Sequence, residues 1–144
     1  MTADAPQKTR AIIVEEVLPH SAEIVWKVLT TRELMARWLM DNDFEPGVGR
    51  SFTMRSQPIA EWDGTVACTI LTFDPPRQLS YSWVGGYLDS TVTWTLTPVE
   101  GGGTRLRMVH DGFVSPRNDM GYDMMSGGWK SVVGRIGEIA GEQG

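Results

Sequence analysis

Few side chains in this sequence are suited to chemistry, and His110 is the foremost. An imidazole titrates near neutral pH and can act as general acid or base. Asp111 follows it, but neighbours on a strand point to opposite faces, so the pair does not orient itself. Two readings stand: an acid–base group in a site, or a strand-end histidine bonded to backbone. The other histidine, His20, follows Pro19 and reads as exposed. The single cysteine, Cys68, shares a strand face with Val66 and Ile70. It reads as a buried structural thiol, because no base or electropositive setting accompanies it. Two distant histidines and one cysteine do not reach metal-ligand spacing, so neither a metal nor another cofactor is expected. No nucleophile elbow, P-loop or dinucleotide fingerprint occurs. Glu61, Asp63 and Asp89 border strand ends and read as solvated carboxylates. Arg55 and Arg107 alternate with apolar neighbours and should point outward.

The aromatic residues carry a stronger signal. Six tryptophans and eight methionines stand in 144 residues. A tryptophan needs room for its ring and a partner for its N–H, and methionine fills irregular gaps. Trp83 and Trp94 should face the inner side of a sheet, with Tyr81 beside them. Met125 and Trp129 should face them from a helix, with Met54 and Met108 filling the gap. With His110, these are the candidate ligand-contact residues. They form either an ordinary core or the lining of an apolar cavity.

Periodicity supplies the elements that position them. Ala11–Leu18 is a β-branched run and reads as a strand. Ser21 suits the N-cap of a helix over Ala22–Leu29. Thr30 and Glu33 fit a capping box for a second short helix, with Leu34, Met35, Trp38 and Leu39 on one face. Strands follow at Arg50–Arg55, Thr65–Phe73, Leu79–Val84, Ser90–Thr97 and Thr104–His110. Turn signals at Asp74-Pro75-Pro76-Arg77 and Glu100-Gly101-Gly102-Gly103 separate some of them. Alternation puts Phe52 with Met54, Val66 with Cys68 and Ile70, and Val92 with Trp94 and Leu96. After Ser115-Pro116, an N-cap followed by proline at the first helical position, the period changes. Met125, Trp129, Val132, Val133, Ile136 and Ile139 recur at helical spacing over about five turns. Five glycines in this stretch point to close approach to the sheet or to a bend.

The resulting class is α+β: a six-stranded antiparallel sheet curled around a long C-terminal helix, with two short helices between the first two strands. One domain over residues 11–144 is expected after a frayed start at 1–10. Thirteen basic residues face eighteen acidic ones, for a net charge of −5. That balance disfavours nucleic acid and anionic lipid surfaces. No apolar run is long enough for a membrane span, so no membrane insertion is expected. No apolar leader appears at Met1–Arg10, which fits a cytoplasmic location.

The ordered blocks also resemble a known superfamily. They are Val25-Trp26, Arg37-Trp38, Gly64 followed by Phe73-Asp74-Pro75-Pro76-Arg77-Gln78-Leu79-Ser80-Tyr81-Ser82-Trp83, then Thr91–Pro98, Gly103–Leu106, His110-Asp111-Gly112-Phe113 and Gly128-Trp129. Across roughly residues 11–140 the chain is similar to the SRPBCC (START-like, helix-grip) superfamily. It most resembles the branch named after the activator of heat shock protein 90 ATPase. The resemblance implies a hydrophobic cavity between sheet and C-terminal helix, and no universal catalytic motif. It leaves three functions open. The first is a binder of a small apolar molecule. The second is a cyclase, dehydratase or hydrolase using His110. The third is a chaperone-associated module with a protein partner. A monomer or a homodimer is compatible with each.

Overall fold

The computed structural model describes residues 9–58, 63–86 and 88–143. Most of the expected frayed start, together with Glu61 and Trp62, lies outside them. The elements run β1 Thr9–Leu18, α1 Ala22–Thr30, α2 Arg32–Trp38, β2 Asp41–Asn42, β3 Ser51–Arg55, β4 Thr65–Asp74, β5 Gln78–Gly85, β6 Leu88–Pro98, β7 Thr104–Val114 and α3 Asp119–Gln143. The strands form one curved antiparallel sheet in the order β1-β7-β6-β5-β4-β3-β2. The first strand closes against the last, with Ile12 opposite His110 and Leu18 opposite Thr104. This is the helix-grip arrangement. The sheet has seven strands rather than the expected six. The extra one, β2, holds two residues, too few to display a period.

Alternation places the core. Phe52, Met54, Val66, Cys68, Ile70, Leu79, Tyr81, Trp83, Val92, Trp94, Leu96, Leu106 and Met108 are all buried on the inner side. One irregularity at the β1–β7 pair changes the count. On β7, Arg10 pairs with Phe113 while Ala11 pairs with Asp111, so Gly112 is an extra residue, a β-bulge. Its φ of +116° is one that glycine adopts without strain. The bulge shifts the parity of the strand, so His110 and Phe113 both point inward and Asp111 is exposed.

The helices start differently from the expectation. Ser21 does cap α1, its Oγ accepting from the Ile24 N–H at 3.3 Å. The capping box at Thr30 is not formed. Thr30 is the last residue of α1, and its hydroxyl donates back to the Trp26 carbonyl at 2.8 Å. Thr31 takes the N-cap of α2 without a side-chain cap bond, its hydroxyl donating to the Lys27 carbonyl. Two helices joined without a linker leave these hydroxyls nearer to orphan carbonyls than to orphan N–H groups. Ser115-Pro116 belongs to a turn, and α3 begins at Asp119, where Ser115 Oγ donates to the carboxylate at 2.7 Å.

The helix α3 is 25 residues long, about seven turns. Its fully packed residues all fall from Trp129 onward: Trp129, Val132, Val133, Ile136, Ile139 and Ala140. Arg37 clamps this stretch from α2 through two bonds to Glu142 at 2.8 and 2.9 Å. In the first half Met120 and Met124 are 77% and 60% exposed. Gly137 does make the expected close approach, since an added Cβ would lie 3.2 Å from Leu18. At Gly121, Gly127, Gly128 and Gly134 a Cβ would meet nothing, so packing does not require glycine there.

Candidate functional site

Where α3 crosses the sheet, four residues from four elements form one hydrogen-bonded line. Trp129 on α3 donates its Nε1–H to His110 Nδ1 on β7 at 3.0 Å. His110 Nε2 lies 2.7 Å from Ser90 Oγ on β6. Ser90 Oγ donates to the Trp83 carbonyl on β5 at 2.9 Å. The protons of this line are determined by its ends. An indole nitrogen only donates and a carbonyl only accepts. The serine proton is therefore used on Trp83, and the proton shared with His110 sits on Nε2. The imidazole is neutral, with Nε2–H donating and Nδ1 accepting. It is fully buried. Burial holds its pKa down at about 3, because an imidazolium loses its hydration there. Both ring nitrogens are engaged, and Ser90 accepts from the histidine, the reverse of an activated serine.

Aromatic rings surround this line at edge-to-face or tilted angles. Centroids are 5.1 Å apart for Trp83–His110, 4.7 Å for His110–Phe113, 5.6 Å for Trp83–Trp129 and 5.8 Å for Trp94–Trp129. Trp38 joins from α2 at 5.5 Å from Trp94. Trp94 donates its N–H to the Tyr81 hydroxyl at 3.0 Å. Burial pushes the Tyr81 phenol above its usual range. Toward β1 the series continues through Phe113 to Tyr122, 5.3 Å away. The Arg10 guanidinium stacks 3.9 Å over the Tyr122 ring and pairs with Asp119 at 2.8 Å.

Of the expected ligand residues, Trp83, Trp94, His110 and Trp129 come together directly, and Tyr81 joins through Trp94. Met108 is buried opposite Trp94 on the neighbouring strand. Met54 is buried on β3, at the other end of the sheet. Met125 is half-buried at the edge of the core. All of them but Met125 are buried. Two open grooves, of about 400 and 380 Å³, lie elsewhere, one beside Ser21, Arg77 and Pro98, the other beside Ile13, Glu15 and Lys130. Ser90, Phe113 and Tyr122 were not anticipated. Ser90 had a signal, since it continues the inward parity of Val92, Trp94 and Leu96. Phe113 had none, because the bulge at Gly112 reverses its parity.

The remaining candidates behave as structural groups. Cys68 is 3% exposed, and burial raises its thiol to about 12, far from a reactive thiolate. Arg107 is exposed and pairs with Glu15 at 3.4 Å. Arg55, Asp63 and Asp89 are exposed, and Glu61 lies outside the described residues. His20 is half-buried rather than exposed, with its ring 3.6 Å from the Cβ position of Gly141.

The family profile described as activator of Hsp90 ATPase homolog 1-like protein matches residues 19–141. A comparison with curated proteins finds no match. Among solved structures, the Mesorhizobium loti protein MLL2253 is 34% identical, with 94% of this chain and 99% of that one covered and a TM-score of 0.82. The Bacillus halodurans protein BH1534 is 25% identical over 94% and 99% of the two chains, with a TM-score of 0.78. Norcoclaurine synthase from Thalictrum flavum, solved with dopamine and hydroxybenzaldehyde, shares the fold at 17% identity. It covers 96% of this chain and 90% of its own, with a TM-score of 0.74.

Proposed function

This chain belongs to the family of activator of Hsp90 ATPase homolog 1-like proteins, within the SRPBCC superfamily, and on that footing we propose that it binds a small, mostly apolar molecule between the sheet and α3. The observation that carries this reading is the aromatic layer around Trp83, His110, Phe113 and Trp129, lying under a helix whose first ten residues, 119–128, include none that is fully buried. A ligand entering there exchanges ring contacts for ring contacts. Admission displaces the start of α3, where Met120 and Met124 bury little, and exchanges the Trp129–His110 contact for one with the ligand. Affinity comes from apolar area at about 25 cal/mol per Å², less the costs of association and side-chain ordering. The norcoclaurine synthase complex with dopamine and hydroxybenzaldehyde supports this, since small aromatic molecules are bound on the same fold. Among the described residues no helix is long and apolar enough to cross a membrane.

An acid–base role for His110 has less support. Both of its nitrogens are occupied, and its protonation is displaced far below neutral pH. Native mass spectrometry of freshly purified protein, with organic extraction of whatever is released, tests the binding reading. The expected result is a stoichiometric apolar adduct, or saturable quenching of tryptophan fluorescence by added naphthalene. A clean mass together with no saturable quenching overturns it.

A further inference from the structure

We infer that the molecule bound at this site carries a neutral hydrogen-bond donor, an O–H or N–H on an aromatic or otherwise apolar body, and that His110 Nδ1 selects it. The inference rests on the binding reading above and deepens it.

The selecting lone pair is set by the sheet alone. The Trp83 carbonyl takes the Ser90 proton, so Ser90 accepts from His110 Nε2. This leaves Nδ1 of the neutral ring as an acceptor. All three residues lie on β5, β6 and β7, and no group of α3 enters the chain of reasoning. The acceptor therefore faces the layer between sheet and helix whatever occupies it. Trp129 now answers it, with an indole N–H at 3.0 Å.

A molecule that enters beside His110 separates that pair. A purely apolar one leaves a buried acceptor without a partner, and such a group costs more than an ordinary hydrogen bond returns. A carboxylate or ether oxygen places a lone pair against a lone pair. An O–H or N–H restores what Trp129 supplied. Trp83 packs edge to face on Trp129, and Phe113 on His110, an arrangement that accepts another flat ring. Discrimination at a site built to bond a donor is strong, because the wrong molecule strands the protein's own buried group.

The test is calorimetric titration with β-naphthol and with β-methylnaphthalene, which have the same shape and differ by hydroxyl against methyl. The wild-type protein is expected to bind β-naphthol roughly tenfold more tightly, which corresponds to about 1.4 kcal/mol. Trp129→Phe keeps a ring but withdraws the native donor, so the preference should be at least as large there. His110→Phe should abolish it. Nitrogen NMR of Trp129→Phe should still give an unprotonated Nδ1 and a protonated Nε2 at His110. Equal affinities for the two probes in both wild type and Trp129→Phe overturn the inference and leave the binding reading standing. So does a protonated Nδ1 in Trp129→Phe. Failure of both probes to bind any of the proteins overturns the binding reading, and the inference with it. Should His110→Phe not fold, the Trp129→Phe comparison decides alone.

Discussion

The neutral, buried state of His110 makes the fold acid-sensitive at a known place. In the unfolded chain an imidazole titrates near pH 6.5. In the fold its pKa falls to about 3. Between those values the unfolded state binds one proton more than the folded state, so stability rises with pH there. The contribution is fully present above about pH 6.5 and is lost as pH falls toward 3. From about pH 7 to about pH 5 the loss from this one residue is about 2 kcal/mol. Carboxylates titrate in the lower part of the same window, so the wild-type profile alone does not isolate it. His110→Gln does. A glutamine amide has an oxygen to accept from Trp129 and an NH₂ to donate to Ser90, and it does not titrate. Urea unfolding of both proteins at several pH values gives a difference in stability from which the shared carboxylates cancel. Whatever constant penalty the glutamine carries, the wild-type advantage should shrink by about 2 kcal/mol between about pH 7 and about pH 5. Parallel profiles would refute the reasoning, because they would mean that His110 is protonated in the fold or reaches water there.

Three further outcomes follow from the packing. Gly112→Ala puts a Cβ 3.0 Å from Ser90 Cα at a φ of +116°. It should cost about 1–3 kcal/mol in urea unfolding, and a neutral result would remove the bulge from the account of how Phe113 turns inward beside His110. Gly127→Ala and Gly128→Ala add a methyl into open space within a helix. Each should raise stability by about 0.5–1 kcal/mol, and a lowered melting temperature would mean that the helix bends there in solution. Cys68 should resist a thiol reagent until the protein unfolds, because it is buried and its pKa is raised to about 12. Rapid labelling of the folded protein would contradict its placement.

The legible part of the fold was the part that alternates. On β4, β5 and β6 alternation assigned the inner face from sequence, and Val66, Cys68, Ile70, Leu79, Tyr81, Trp83, Val92, Trp94 and Leu96 are buried there, whereas β1, with apolar residues of both parities, gave no face. Periodicity carries no information across an interruption, and the errors cluster at interruptions. β2 is two residues long. Thr30 and Ser115 have cap-forming side chains, but their hydroxyls found a carbonyl and a carboxylate instead. Local sequence offers such a hydroxyl several partners, and tertiary position decides among them. The glycines of α3 were open to two explanations. Close approach accounts for Gly137 alone, because only that position faces β1 at short range.

The site was legible to the same depth. Parity alone separated His110 from Asp111, and it placed His110 among the aromatic residues. Parity also carried the clue to Ser90, a polar residue at an inward position of β6, two places from Val92, the register partner of His110. Diagonal neighbours on adjacent strands lie within reach of each other. Two polar residues so placed in an apolar face must bond each other or strand two buried groups. What no pattern could supply is the direction of the proton between them. That direction depends on the backbone carbonyl of Trp83, which takes the Ser90 proton, and the Trp129 indole on α3 answers the lone pair left at His110 Nδ1. The proton's position makes His110 an acceptor facing the helix, and it carries the argument from a buried histidine to the kind of molecule this layer would admit.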